Sequence, residues 1–240
     1  MPGLNSPTRS DATPVLHWLT QTSLHVPEDD SWLSANERAI AGRMYFEKRR
    51  RDWKLGRWTA KRAVLSHLGL GSDPSQFTKL EVIAAADGAP EAFLEGQPAP
   101  VSLSISHSAE AALCLIGAPG IALGCDLEQI QPREPNFAAD YFTQDEVALL
   151  ERGSAADQPL LINLIWSSKE SALKALRQGL RRDTRSIQVR LPAPRQEGWN
   201  PLTAIDLESA RVFHGWWQVQ DNQIQSVAAD VAATPPIRVP

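Results

Sequence analysis

The feature that most constrains the fold is a stretch without proline that runs from Ser34 to Leu68. Ser34 followed three residues later by Glu37 is a capping-box pattern, which marks the start of a helix. One or two helices are therefore expected here, in the longest helical region of the chain. A second helical region is predicted over residues 160–178.

Strand patterns surround these helices. Residues 101–108, VSLSISHS, alternate apolar and serine side chains, as a half-buried strand does. Further strands are predicted from VLHWL at Val15, AALCLIG, IALGCDLE, VFHGWWQVQ and IQSVAADVA. AALCLIG and IALGCDLE are expected to form a hairpin around the GAPG turn at 117–120, and the last two strands to flank an Asp221-Asn222 turn. Helices mixed with antiparallel strands predict an α+β protein.

Composition excludes several classes of protein. With 42% hydrophobic and 22% charged residues the chain is too apolar for intrinsic disorder, and no apolar run approaches the roughly 18 residues that span a bilayer. Residues 1–14 are expected to be a flexible tail without a secretory signal, so we expect a cytoplasmic protein. Cys114 and Cys125 lie in apolar stretches, which argues against a disulfide framework or a thiolate zinc site. A net charge of −4 gives no basic field for nucleic acid.

Local charge departs from this average between residues 43 and 62, where nine Lys or Arg meet only two acids, a balance of +7. Arg50, Lys54, Arg57 and Lys61 follow 4-3-4 spacing, which places them along one stripe of a helix. A solvated helix face is the simpler interpretation of such a stripe. The density of charge also favours a polyanion, and phosphate is the obvious candidate.

Two acids mark a candidate metal site. Asp126 and Glu128 are two residues apart in a predicted strand, so both carboxylates project from one face. At about 4 Å, and at an effective dielectric constant near 20, two such charges repel by roughly 4 kcal/mol, so a cation should lie between them. Hard oxygen ligands without a nearby histidine suit Mg²⁺. Exposed acids at a strand end are the simpler alternative.

The segment WSSKESALKAL, residues 166–176, places Glu170 and Lys174 four residues apart on one helix face, with Lys169 beside them. A surface ion pair worth a few tenths of a kcal/mol would explain this pair alone. Ser106 and His107 are neighbours, but adjacent strand side chains point to opposite faces, which excludes a serine hydrolase pair. His107 fits better as a contact to phosphate or hydroxyl at a strand end.

Together these strings resemble the 4′-phosphopantetheinyl transferases, and specifically the long, pseudo-dimeric subfamily that activates surfactin synthetase and other nonribosomal peptide, polyketide and fatty acid synthases. The matching strings are GRWTAKRA (56–63), SISHS (104–108), GCDLE (124–128), YFTQDE (141–146) and WSSKESALK (166–174). GxDxE and WxxKExxxK are specific when they occur together at this spacing. The resemblance spans residues 15 to about 230.

The resemblance implies two similar α+β halves with pseudo-twofold symmetry, each a long helix packed on an antiparallel sheet. The N-terminal half would span residues 15–118, the C-terminal half 119–240, and the active site would lie between them. It further implies Mg²⁺-dependent transfer of 4′-phosphopantetheine from coenzyme A to a serine of an apo acyl, peptidyl or aryl carrier protein, with release of 3′,5′-ADP. A cytoplasmic monomer, without nucleic acid or membrane partners, is expected.

The resemblance also assigns roles to single residues. The metal ligands would be Asp126, Glu128 and Glu170, and Glu170 and Lys174 would be catalytic. Coenzyme A would contact Arg50, Arg57, Ser106, His107 and Lys174. Glu146 matches a family acid, and Lys169, Arg177, Arg181 and Arg182 are expected to dock the carrier protein.

One position departs from the family pattern. Many relatives carry a GKP turn whose lysine reaches the 3′-phosphate, whereas residues 88–90 read GAP, with Ala89 in that place. Either the stripe around Arg50 and Arg57 supplies the missing charge or coenzyme A binds more weakly. Two alternatives stay open: a catalytically silent module that binds coenzyme A or a nucleotide, and a structural partner of an acidic protein. Retention of three acids and Lys174 counts against both.

Overall fold

The computed structural model of the chain describes residues 13–71, 73–193 and 197–240. The tail predicted over residues 1–14 therefore lies, up to residue 12, outside the described residues. The helices are α1 (Ala35–Gly42), α2 (Glu47–His67), α3 (Pro74–Lys79), α4 (Phe137–Tyr141), α5 (Gln144–Arg152) and α6 (Gln158–Ala175). The strands are β1 (His17–Thr22), β2 (Leu80–Ala84), β3 (Pro90–Leu94), β4 (Gln97–Pro98), β5 (Ser102–Ser108), β6 (Ala111–Gly117), β7 (Leu123–Gln129), β8 (Ile187–Arg190), β9 (Asn200–Asp206), β10 (Val212–Gln220), β11 (Gln223–Ala229) and β12 (Ile237–Arg238).

The strands form three sheets, in the orders β12-β1-β6-β5, β7-β11-β10-β9-β8 and β2-β3-β4. Every pairing is antiparallel except that of β12 with β1, which brings the end of the chain back to its first strand. Helices combined with mainly antiparallel sheets confirm the predicted α+β class. In the part of the chain that is described, no helix is long and apolar enough to cross a membrane.

The predicted hairpin between β6 and β7 is wrong. The two strands belong to different sheets, and β7 pairs instead with β11, where Asp126 lies opposite Ser226. The tight hairpin is the one before it, between β5 and β6. It turns at Ala109 and Glu110, which both have positive φ angles. The GAPG segment therefore carries the chain from one sheet to the next.

Strand β5 is covered on both faces, although its alternation suggested one buried face. Leu103 and Ile105 pack against the core beneath α2. The serine face is buried as well, because it lies against β7, where Ser104 Oγ accepts a hydrogen bond from the Cys125 amide at 3.1 Å. Small hydroxyl side chains let the two sheets meet at this point while they satisfy buried backbone groups.

Each long helix packs on a large sheet through small and aliphatic side chains. Helix α2 contributes Ala60, Ala63 and Val64 to the core over β1 and β6. Helix α6 contributes Ala172 and Leu173 to the core over β7 and β11. The two predicted helical regions are thus confirmed, the first as α1 and α2 with a break at residues 43–46.

A buried ion pair anchors α2. The predicted capping box is present, since Ser34 Oγ accepts from the Glu37 amide and Glu37 accepts from the Ser34 amide. Glu37 also accepts from the Val82 amide at 2.9 Å and forms an ion pair with Lys61. Lys61 is fully buried, so the expectation that it lies on a stripe open to phosphate is wrong. A buried ammonium is retained here because a carboxylate and two carbonyls surround it.

The same set of contacts recurs at α6. Thr143 and Glu146 form a capping box at α5, and Glu146 also accepts from the Val189 amide at 2.7 Å. Lys169 Nζ lies 2.7 Å from Glu146 and donates to the carbonyls of Thr184 and Ile187. Lys169 is therefore fully buried, and the expectation that it docks a carrier protein is wrong.

Candidate active site

Strand β7 presents two acids to helix α6. Asp126 and Glu128 both contact residues of α6, whereas Leu127 between them points into the opposite core. The spacing of two residues thus places both carboxylates on one face, as predicted.

The close approach of α6 to β7 depends on Gly124. A Cβ atom at this position would lie 2.0 Å from the Ser171 carbonyl oxygen and 2.7 Å from the Ala175 nitrogen. Because these are backbone atoms, they cannot move without displacing the helix. The glycine of GCDLE therefore sets the distance at which α6 faces the acids of β7.

Asp126 is the most buried acid of the site, with 2% of its surface exposed. Its Oδ1 accepts from Lys174 Nζ at 2.7 Å and from Ser106 Oγ at 2.8 Å. Burial opposes ionisation, but the Lys174 ammonium and these hydrogen bonds outweigh it and lower the pKa of Asp126. Its Oδ2 is buried and accepts no hydrogen bond from the described residues. Asp126 Oδ2 is thus a buried acceptor atom without a partner in this geometry.

Glu128 is held by two donors that the sequence analysis did not assign. Trp166 Nε1 donates to it at 3.1 Å and Arg133 Nη2 at 3.0 Å. Arg133 is fixed in turn by Asn163 and by the ring of Phe137. Burial and the nearby Asp126 charge raise the pKa of Glu128. A signal was present in the sequence, because Arg133 is the first basic residue after the acid pair.

Glu170 lies on α6 with 17% of its side chain exposed. Burial raises its pKa to about 7, the Asp126 charge adds to this effect, and Lys174, whose Nζ lies 3.7 Å away, acts against it. Lys174 contacts Asp126, Glu170 and Ser106. Burial disfavours its charge, yet the two acids raise its pKa, so it stays protonated. The cluster combines a fixed cation with a carboxyl group that can exchange a proton near neutrality.

One of two neighbouring cavities reaches this cluster. The larger, of about 1020 Å³, is lined by Lys174 and by the turn at residues 87–90. Lys174 is the member of the cluster that faces this cavity; the described lining does not include Asp126, Glu128 or Glu170. A compound in this cavity therefore contacts Lys174 rather than the three acids.

The smaller cavity, of about 610 Å³, is lined by Arg49, Arg57 and His107 among others. Arg57 stacks over Trp53, and its buried Nε makes no hydrogen bond to the described residues. Burial lowers the pKa of Arg57 to about 10, and Glu37 acts against this effect. An unsatisfied guanidinium N–H beside a cavity is suited to an anion.

The predicted site residues thus fall into two groups. Asp126, Glu128, Glu170, Lys174 and Ser106 come together, whereas Arg57 and His107 lie at the smaller cavity. The described lining of that cavity includes Arg49 and not Arg50. Ser106 is buried with its hydroxyl engaged by protein groups, so its contact with coenzyme A stays a prediction.

The acids fit a hard cation in part. Asp126 offers its unpaired Oδ2, and Glu170 lies close enough for the Asp126 charge to raise its pKa. Both oxygens of Glu128 already accept hydrogen bonds, from Trp166 and Arg133. Over residues 13–71, 73–193 and 197–240, no three acids, histidines or cysteines lie near enough together to form a ready metal site. Asp126 and Glu170 are therefore the stronger candidates, and Glu128 would have to exchange a partner.

Comparison with known proteins gives two findings. Residues 122–224 match the family model of the 4′-phosphopantetheinyl transferase superfamily. The chain is also 30% identical, over 153 residues, to the 4′-phosphopantetheinyl transferase HetI of Nostoc sp. strain PCC 7120. This alignment covers 62% of the chain and 61% of HetI, so the chain spans about three fifths of the relative's length. The matched segment 122–224 contains Asp126, Glu128, Glu170 and Lys174.

Proposed function

We propose that the chain transfers the 4′-phosphopantetheine group of coenzyme A to a serine of an apo carrier protein and releases 3′,5′-ADP. The observation that carries the proposal is the convergence of Asp126, Glu170 and Lys174 within the segment that matches the superfamily. HetI is named as a 4′-phosphopantetheinyl transferase.

Asp126 and Glu170, with Glu128 after it exchanges a partner, would hold Mg²⁺. When bound, the ion would neutralise charge on the pyrophosphate of coenzyme A. Release of Glu128 requires its contact with Arg133 or Trp166 to open, and its side chain is 20% exposed, which leaves room for such a change.

In the transfer step, the oxygen of the carrier serine bonds to the β-phosphorus of coenzyme A. The bond from that phosphorus to the bridging oxygen breaks, and 3′,5′-ADP leaves with this oxygen. Glu170 would accept the serine proton, since it is the acid of the cluster that stands next to Lys174 without a hydrogen bond from it; its pKa of about 7 describes the metal-free chain. Lys174 keeps its charge and can stabilise the negative charge that develops on the leaving group.

The 3′-phosphoadenosine end of coenzyme A fits the smaller cavity. Arg57 offers an unpaired guanidinium N–H there, and His107 and Arg49 lie in the same lining. None of these three residues lines the larger cavity, where Lys174 lies, so they should contribute to binding more than to the chemical step.

The finer family assignment is also a proposal. The long pseudo-dimeric subfamily, with two halves that meet near residue 118, is supported by the matching contacts of Glu37 with Lys61 and of Glu146 with Lys169. Each acid caps a helix, pairs with the lysine of a long helix and accepts from a strand amide. A cytoplasmic monomer that acts on acyl, peptidyl or aryl carrier proteins belongs to the same proposal.

Intact-mass analysis tests the function. Apo carrier proteins incubated with the chain, coenzyme A and Mg²⁺ should gain the mass of phosphopantetheine. Asp126→Asn and Glu170→Gln should abolish the gain, while Glu151→Gln, at an exposed position of α5, serves as the control. Binding of coenzyme A without transfer to any carrier protein would favour a silent binding module. Full activity of Asp126→Asn would refute the site.

A further inference from the structure

Two arginines that follow α6 donate hydrogen bonds to a turn from a distant part of the chain. Arg177 Nε donates to Asp87 Oδ2 at 2.6 Å, and its Nη2 donates to Asp87 Oδ1 at 3.0 Å and to Glu91 at 2.8 Å. Arg181 donates to the Asp87 carbonyl oxygen at 2.7 Å and to the Arg177 carbonyl oxygen at 2.8 Å. We call this group of Asp87, Glu91, Arg177 and Arg181 the clasp. It joins the end of α6 to the sheet β2-β3-β4.

Both partners of the clasp have a defined backbone. Arg177 has a φ of 58°, which directs the chain away from the helix, and Gly88 has a φ of 87° in the turn. Asp87 caps its own turn, because its Oδ1 accepts from the Ala89 amide at 3.0 Å. Contacts with Arg177 lower the pKa of Asp87 to about 2. The Asp87 carboxylate thus stays ionised over the whole neutral range and keeps its ion pair with Arg177 there.

The turn held by the clasp forms part of the wall that the two cavities share, together with Ile105 of β5. Gly88 and Pro90 line both the larger cavity, which contains Lys174, and the smaller one, which contains Arg57. The turn has no positively charged side chain at its tip, because the residue there is Ala89. The turn therefore cannot be held in place by a charged side chain of its own that contacts a ligand, so other contacts must set its position.

From this arrangement we infer that Arg177 is a positioning residue, which fixes the turn at residues 87–90 so that one coenzyme A molecule can occupy both cavities. This inference rests on the proposed function. Arg177 and Arg181 were expected to dock the carrier protein; in the structure both guanidinium groups donate hydrogen bonds within the chain. Because the clasp does not touch the carboxylate cluster, its loss should weaken binding of coenzyme A and leave the chemical step intact.

The test compares Arg177→Gln with Arg185→Gln. Arg185 is an exposed arginine with a bidentate contact to Asp183, its near neighbour in sequence, and so lacks a long-range role. Arg177→Gln should raise the KM for coenzyme A by about five-fold, the upper range for exposed ion pairs, with kcat nearly unchanged. Asp87→Asn keeps the acceptor for the Ala89 amide, and the effects of the two substitutions should not add. High salt should raise the KM of the wild type and reduce its difference from Arg177→Gln.

Hydrogen exchange gives a readout independent of activity. Amides of residues 85–92 should exchange faster in Arg177→Gln than in the wild type, and those of β6 should not change. Unchanged exchange, or faster exchange with an unchanged KM, would overturn the inference. If the wild type binds coenzyme A in calorimetry but modifies no carrier protein, the proposed function alone fails. In that case the role of the clasp is decided by comparing the Kd for coenzyme A of Arg177→Gln with that of the wild type. If the wild type binds no coenzyme A, both fail.

Discussion

Substitution of Glu170 by glutamine should stabilise the metal-free protein in a way that grows with pH. The folded protein raises the pKa of Glu170 from its ordinary value of 4.5 to about 7, chiefly by burial and by the Asp126 charge. The stability that the protonated side chain supplies is fully present below about pH 4.5 and is lost as pH rises through 7. A glutamine side chain does not ionise, so the Glu170→Gln variant does not lose this stability.

The size of the effect follows from the two pKa values. A difference from 4.5 to about 7 corresponds to about 3 kcal/mol when the group is fully ionised, of which about 2 kcal/mol falls between pH 5 and pH 7. Relative to Glu170→Gln, the free energy of unfolding of the wild type should therefore drop by about 2 kcal/mol over this range. Urea unfolding at several pH values, followed by the fluorescence of the eight tryptophans, measures it.

Glu151→Gln, an exposed substitution, is the control for this series. Added Mg²⁺ should reduce the difference between the wild type and Glu170→Gln at pH 8, since a bound cation offsets the repulsion between Glu170 and Asp126. A difference in unfolding free energy that is the same at pH 5 and pH 7 would refute the argument, because Glu170 would then titrate alike in the folded and unfolded chains.

Three further changes test the packing and the binding groups. Gly124→Ala should lower the melting temperature by several degrees and impair transfer, since a Cβ would meet the backbone of α6; a variant as stable as the wild type would contradict this packing. Lys61→Met should cost roughly 3–5 kcal/mol of unfolding free energy by leaving Glu37 charged and buried, and Lys61→Met with Glu37→Gln should regain much of it in urea unfolding. Arg57→Ala should raise the KM for coenzyme A about ten-fold with a smaller change in kcat, and an unchanged KM would remove Arg57 from the binding groups.

Local patterns predicted the elements of this fold well. The capping box at Ser34, the helix that became α6 and the turn at Asp221-Asn222, where both residues have positive φ angles, are encoded within a few residues each. The shared face of Asp126 and Glu128 follows from strand geometry alone. Each of these features depends on interactions between residues that are close together in the sequence.

Contacts between segments that are distant in the sequence could not be predicted in this way. The predicted β6–β7 hairpin failed because two apolar strands around a glycine turn look the same whether they pair or enter different sheets. Lys61 and Lys169 look like surface charges in a helical pattern, and their burial depends on Glu37 and Glu146, which lie 24 and 23 positions earlier in the chain. Arg133 and the clasp are likewise visible only when the fold brings their partners together.

The buried pair at Lys169 explains why its neighbours can act as a site. Lys169 is locked to Glu146 and two carbonyls on one side of α6, which fixes the rotation of the helix about its axis. At 100° per residue, Glu170 then cannot share that side, and it faces β7 together with Lys174, one turn further along. Gly124 fixes the remaining distance between helix and strand. On an isolated helix, Glu170 and Lys174 would form only a weak surface contact. Here both are held next to Asp126 in a buried site, where neighbouring charges shift their pKa values.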